Sequence, residues 1–132
     1  LLKDHHKKAL ILGTGGASKA IAYALRSLKI EYDFVSRTAD EFQYKYEELD
    51  ASIFEEYTII INTTPVGTHP NVDDCPNLDY SLFTKKHIAY DLIYNPEETA
   101  FLRKAKAQGA VTKNGYEMLV LQAEKAWKIW NE

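Results

Sequence analysis

The 132-residue sequence predicts an α/β fold, a doubly wound parallel sheet with helices on both faces. Three observations carry that expectation. Short apolar, β-branched runs alternate along the chain with segments of helical periodicity. The first run, Lys8-Ala9-Leu10-Ile11-Leu12, ends in three glycines within four positions, Gly13, Gly15 and Gly16, and an alanine-rich stretch follows at once. The clearest run, Thr58-Ile59-Ile60-Ile61-Asn62, is apolar without alternation, as in a strand covered on both faces.

Taken in order, residues 8–12 give the first buried strand. The helix after it places Ala17, Ala20, Ile21, Ala24, Leu25 and Leu28 at spacings of three and four, a small-residue stripe suited to lying close on a sheet. Residues 32–35 form a second strand closed by polar Ser36-Arg37-Thr38. Residues 40–48 are polar and expected as a helix with Phe42, Tyr46 and Leu49 inward; 53–57 add a helical turn. The isoleucine strand, 58–62, ends in the turn sequence Asn62-Thr63-Thr64-Pro65-Val66-Gly67, and a polar loop with Pro70, Asn71, Pro76 and Asn77 follows. A helical turn at 78–83 leads to a fourth strand at 87–91, stopped by Asn95-Pro96. Residues 99–108 form a helix with Phe101, Leu102 and Ala105 inward, Thr99 as N-cap and Gly109 at C′. A fifth strand at 110–112 precedes a long apolar helix at 116–130 with Met118, Leu119, Ala123, Ala126, Trp127 and Trp130.

Alternation of this kind requires right-handed crossovers between parallel strands. Ligands of such sheets bind beyond the carboxyl ends of the strands. The loops 13–17, 36–41, 62–68, 91–95 and 112–116 therefore share one edge.

Composition narrows the function classes. Apolar residues are 45% and charged residues 27%, as in a soluble globular domain. A net charge of -3 argues against a general nucleic-acid or anionic-membrane surface. The single Cys75 excludes an internal disulfide and reads as a reduced loop thiol, so the expected compartment is cytoplasmic. No run approaches membrane-spanning length. The four histidines lack metal-ligand spacing, and there is no nucleophile–base pair or carboxylate dyad, so no metal and no catalytic residue is expected here. The opening Leu1-Leu2-Lys3-Asp4 has no methionine and reads as the end of an earlier helix, so the chain is expected to be part of a longer protein.

The chemistry is expected on the shared edge. Gly13-Thr14-Gly15-Gly16-Ala17 lies between a buried strand and a small-residue helix, where free N–H groups and the helix dipole favour phosphate. It matches the first half of the Rossmann dinucleotide fingerprint, with Ser18 at the third glycine position. Ser36-Arg37-Thr38 ends the second strand without an acid, and Asp33 comes too early to serve as one. A ribose 2′-OH wants an acid there, whereas a 2′-phosphate wants an arginine. Arg37 alone would read as solvated; on this edge it points to NADP rather than NAD. From position alone, the polar turn Asn62–Gly67 serves equally well as an ordinary turn or as a segment passing under ribose and nicotinamide. Tyr94 follows the fourth strand. Gln122 lies in a very apolar helix and by itself reads as capped or solvent-facing.

Together these stretches resemble the cofactor domain of shikimate dehydrogenases, from Lys8 almost to the end. Gly13–Ala17 is similar to that family's glycine loop, and Ser36-Arg37-Thr38 to its Asn-Arg-Thr signature for the 2′-phosphate. The turn at 62–67 resembles its Asn-Ala-Thr-Pro-x-Gly segment, and Asp91-Leu92-Ile93-Tyr94-Asn95-Pro96 its Asp-x-x-Tyr-x-Pro segment. Gly115-Tyr116-Glu117-Met118-Leu119 with Gln122 resembles its Gly-x-x-Met-Leu-x-x-Gln ending. The resemblance implies a Rossmann-like domain over the whole of residues 1–132, binding NADP through Gly13, Thr14, Gly15, Gly16, Ala17, Ser36, Arg37, Thr38, Thr63 and Thr64, with Leu92 and Gly115 against the nicotinamide. It implies that Tyr94 and Gln122 face the substrate. Members reduce 3-dehydroshikimate to shikimate by hydride transfer, a step of aromatic amino-acid biosynthesis towards chorismate.

Several departures qualify the resemblance. Thr14 stands where the family has alanine, Ser36 where it has asparagine, and Thr68 where it has methionine. Glu41 stands where many members carry a second basic residue, which keeps a quinate/shikimate enzyme with relaxed NAD and NADP use as an alternative. A non-catalytic nucleotide sensor is the rival from another class. The family's catalytic lysine and aspartate belong to an N-terminal substrate domain that this chain lacks, so the chain alone is expected to bind cofactor without turnover. Trp127 and Trp130 are expected to pack against that domain, and the state is expected to be monomer or homodimer.

Overall fold

A computed structural model describes residues 8–13, 15–36, 44–66, 73–92 and 98–114. Its strands are β1 (Lys8–Leu12), β2 (Glu31–Ser36), β3 (Tyr44–Lys45), β4 (Ile59–Asn62), β5 (Ile88–Asp91) and β6 (Val111–Asn114). Its helices are α1 (Gly16–Ser27), α2 (Ala51–Glu56) and α3 (Ala100–Ala107). All pairings are parallel, in the order β3-β2-β1-β4-β5-β6. The chain runs outward from β1 to β3, returns to β4 beside β1, and runs outward again. The strand order thus reverses between β1 and β4, the switch point of a Rossmann-like sheet.

Both faces are covered, because successive strand residues point to opposite sides. Ala9, Ile11, Ile59, Ile61 and Tyr90 meet Ile21, Ala22 and Leu25 of α1. Leu10, Leu12, Val35, Ile60 and Ala89 meet Phe54 of α2 and Phe101, Leu102 and Ala105 of α3. Each fully buried leucine, isoleucine or phenylalanine contributes about 1.5–3 kcal/mol of transfer free energy. Phe54, Phe83 and Phe101 interlock edge to face, at centroid distances of 5.2 Å and 6.1 Å from Phe83.

The helix ends follow local chemistry. Asp50 caps α2 by accepting the Ile53 N–H at 3.0 Å, and Thr99 caps α3 by accepting that of Leu102 at 3.3 Å. Both α1 and α3 end in a pair of reversed bonds of the Schellman type. Ile30 N–H reaches Leu25 O and Lys29 N–H reaches Arg26 O; Ala110 and Gly109 do the same towards Ala105 and Lys106. Gly109 takes the left-handed position at φ 96°, as expected, whereas α1 forces Lys29 into it at φ 60°.

Two expectations are corrected. The helix expected at 40–48 is not what residues 44–48 form: Tyr44–Lys45 is an edge strand, and Tyr46–Glu48 a 3-10 turn. Tyr44 pairs with Val35 and packs edge-on against Tyr57, 6.1 Å away, which outweighs a weak helical pattern. Tyr46 and Leu49 do turn inward. The sheet therefore has six strands rather than five. The stripe on α1 is also rotated. Ser18, Ile21, Ala22, Ala24 and Leu25 are buried, while Ala17 is exposed. Ser18 tolerates burial because its hydroxyl donates to Gly15 O at 2.6 Å.

Candidate dinucleotide site

The carboxyl edge gathers the described parts of all five sequence-predicted loops. Leu12 is in register with Val35 on one side and Asn62 on the other; Asn62 pairs with Asp91, and Asp91 with Asn114. Gly13, Ser36, Asn62–Thr64, Leu92 and Asn114 thus lie along one rim.

The glycine loop is shaped by backbone. Gly13 has φ 109°, and its N–H donates to Val35 O at 2.8 Å. A Cβ there would come within 2.8 Å of Thr63 Oγ1 and 3.1 Å of Thr64 Cγ2. Glycine is required both for the left-handed backbone and for the closeness of the next turn. Beyond it, Gly15 is the N-cap of α1, and among the described residues no side chain caps the helix or places an acid in its first turn. Cβ atoms at Gly15 and Gly16 would meet nothing within 4 Å, and Gly15, Gly16 and Ala17 are exposed. α2 and α3 spend side chains on their amino ends; α1 keeps its N–H groups and positive dipole end for an anion. These residues fit a dinucleotide's diphosphate.

The turn after β4 is built by side chains. Asn62, Asp91 and Thr99 are all fully buried. The Asn62 amide donates to both Asp91 carboxylate oxygens at 3.3 Å, and Thr99 Oγ1 donates to one of them at 2.7 Å. Asn62 Oδ1 accepts the Thr64 N–H at 3.0 Å and the Thr64 hydroxyl at 2.6 Å. Thr63 Oγ1 donates to Leu12 O at 2.6 Å. Each threonine has one hydroxyl proton, and both are spent inside the protein. Thr63 and Thr64 therefore form a floor rather than a pair of hydroxyl donors. Leu92, half-buried, is tied to β4 through its N–H to Asn62 O at 3.2 Å and packs against the α1 face.

Ser36 stands half-buried at the end of β2, with no acid beside it on that strand's final turn of register. Asp33 points elsewhere, as the sequence suggests: Tyr57 Oη donates to its carboxylate on the α2 side. Thr14, Arg37, Thr38, Tyr94, Gly115 and Gln122, with Glu41, Phe42, Trp127 and Trp130, lie outside the described residues.

Sequence reading missed two features. The Asn62–Asp91–Thr99 network joins residues 37 positions apart, and its only local sign is a polar residue ending each of two buried strands. Lys45 was assigned to a helix, but the ladder sets it beside Ser36. His87, which carries no metal spacing, is structural: Nδ1 accepts the Thr84 N–H at 3.0 Å, so Nε2 carries the proton and donates to Phe54 O at 2.7 Å. Among the described residues no His, Cys, Asp and Glu group could hold a metal ion, and no helix is long and apolar enough to cross a membrane. Cys75 is half-buried and unbridged, with Lys104 Nζ 3.3 Å from its sulfur.

No protein-family model matches the chain. The NADP-dependent shikimate dehydrogenase of Carboxydothermus hydrogenoformans is 38% identical over 94% of the chain and 49% of the relative. The crystal structure of shikimate 5-dehydrogenase from Thermus thermophilus, in complex with NADP(H) and shikimate, matches with a TM-score of 0.68 at 35% identity, over 92% of this chain and 48% of that one. Quinate dehydrogenase from Corynebacterium glutamicum, in complex with NAD, matches with a TM-score of 0.66 at 25% identity, over 94% and 49%. The chain spans about half the length of the curated relatives it matches. By its identity to the curated relatives and its likeness to the solved structures, the chain belongs to the shikimate dehydrogenase family.

Proposed function

We propose that the chain is the NADP-binding domain of a shikimate dehydrogenase, working with a substrate domain that supplies the catalytic lysine and aspartate. The observation that carries the reading is the uncapped, acid-free start of α1 with open space at Gly15 and Gly16, on the same rim as Ser36. Gly13, Thr14, Gly15, Gly16 and Ala17 hold the diphosphate by backbone N–H groups. Ser36, Arg37 and Thr38 take the adenosine 2′-phosphate. Thr63 and Thr64 form the floor of the cleft, and Leu92 and Gly115 shield one face of the nicotinamide from water. Tyr94 and Gln122 face the substrate, the Gln122 amide bonding a ring hydroxyl. When bound, the reduced nicotinamide supplies the hydride that turns 3-dehydroshikimate into shikimate. The chain itself binds, orients and excludes water; proton transfer belongs to the partner domain. The setting is cytoplasmic, as monomer or homodimer.

Calorimetric titration tests the reading. NADP is expected to bind at least about tenfold tighter than NAD, the worth of one charge-assisted contact. Equal or NAD-favouring affinity overturns it, and Arg37→Asp should reverse the preference. Reduction of 3-dehydroshikimate by the chain alone would overturn the two-domain division of labour. Glu41 supports a second reading, a quinate/shikimate enzyme that also accepts NAD; the structurally similar quinate dehydrogenase from Corynebacterium glutamicum was solved in complex with NAD. Comparable affinity for the two cofactors would favour it.

A further inference from the structure

The corner of the rim at β2 carries an imbalance of charge. A 2′-phosphomonoester bears about -1.5 to -2 charges at neutral pH. In the sequence Arg37, next after Ser36, offers one positive charge, and Glu41 brings a negative one. The sheet register brings a further cation to this corner. β3 pairs with β2 in parallel, Val35 opposite Tyr44 and Ser36 opposite Lys45. Val35 and Tyr44 both pack into the cluster on the α2 side, Tyr44 against Tyr57. Alternation along each strand then turns Ser36 and Lys45 together to the opposite face, the face on which α1 and the glycine loop lie. Lys45 is exposed and extended, with φ -89° and ψ 153°. Its backbone N–H is held by Glu48 Oε1 at 2.8 Å, which fixes the strand end and occupies that carboxylate. Among the described residues Lys45 makes no ion pair.

We infer that Lys45 is a specificity-determining residue for the cofactor's 2′-phosphate: the two-residue edge strand delivers beside Ser36 the second cation that the loop carrying Glu41 withholds. This rests on the NADP reading above. A lysine suits the role because its ammonium acts as a compact point charge on a flexible stem, whereas Arg37 supplies the planar fork.

The test is titration of the chain with NADP, NAD and adenosine 2′,5′-bisphosphate, for wild type, Lys45→Gln and Lys45→Arg. Lys45→Gln is expected to weaken NADP and the bisphosphate by about five- to tenfold, the size of one solvent-accessible charge-assisted contact, and to leave NAD within twofold. Lys45→Arg should restore most of the loss, and the wild-type advantage should shrink with added salt. Lys45 is exposed, so thermal melts of the variants should match wild type. If wild type prefers NADP but Lys45→Gln weakens NADP and NAD equally, or neither, the Lys45 assignment falls and the NADP reading stands. If wild type shows no preference for NADP, both fall.

Discussion

The two halves of the rim are built by opposite means. On the α1 side, the glycine loop is shaped mainly by backbone: a left-handed Gly13 and, among the described residues, an uncapped helix start with no side chain in the space above Gly15 and Gly16. On the α3 side, the turn after β4 is held by buried side chains, with Asn62, Asp91, Thr99 and Thr64 joined in one network across β4, β5 and the start of α3. Among the described residues the first half leaves its backbone N–H groups without side-chain caps; the second spends its side-chain polar groups on itself. The halves meet where Thr63 lies against Gly13. The difference teaches that a loop free of capping side chains needs a rigid neighbour, because bare backbone cannot fix its own position.

The comparison breaks most sharply at Asp91. Asp91→Ala strands the Asn62 amide and the Thr99 hydroxyl in a fully buried place, and is expected to cost about 4 kcal/mol, two unsatisfied groups together. Urea denaturation reads this directly; a loss below about 1 kcal/mol would mean that the network is not the support described. Gly13→Ala should come next, at roughly 2–3 kcal/mol, from the left-handed backbone plus the overlap with Thr63. The same variant should weaken NADP binding, since Thr63 must move. If stability falls with affinity intact, the two halves are not coupled at Thr63.

A global perturbation provides the control. Burial and the Asp33 carboxylate raise the Tyr57 pKa, and burial raises those of Tyr80 and Tyr90. The Tyr90 hydroxyl is buried with no hydrogen-bond partner among the described residues. The folded state therefore holds these protons more tightly than the unfolded chain does. Their contribution is complete below the ordinary tyrosine value of 10.0 and is lost as pH rises beyond it. Melting temperatures from pH 8 upward should fall beyond about pH 10, with exchange protection declining on both sides of the rim together. A decline confined to one side would assign these tyrosines a local role. The smallest change is expected at Ser18→Ala, under about 1 kcal/mol, because the lost bond to Gly15 O is a local back-bond and only one oxygen atom is removed. A larger effect would show that the glycine loop does depend on a side chain.

Much of this was legible in the sequence. The isoleucine run and the glycine junction announced buried parallel strands and a tight strand-to-helix turn, since both patterns express backbone constraints that act within a few residues. Thr99 and Gly109 announced the ends of α3 for the same reason. What stayed hidden depends on partners distant in the chain. Tyr44–Lys45 looked helical because only pairing with β2 makes it a strand. One miss was local instead: Ser18 turns inward on α1 with its hydroxyl bonded back to Gly15 O, a use of serine that an apolar stripe does not announce.

By itself, then, the sequence determined the fold class and the carboxyl rim on which its loops converge. Those follow from periodicity and glycine, both local. The tertiary structure alone decided that the Thr63 and Thr64 hydroxyl protons are committed inside the protein, that Asp91 ties Asn62 to Thr99, and that Lys45 stands beside Ser36. Hydrogen-bond partnership and strand register are relations between distant residues, and only the folded sheet brings those residues within reach of one another.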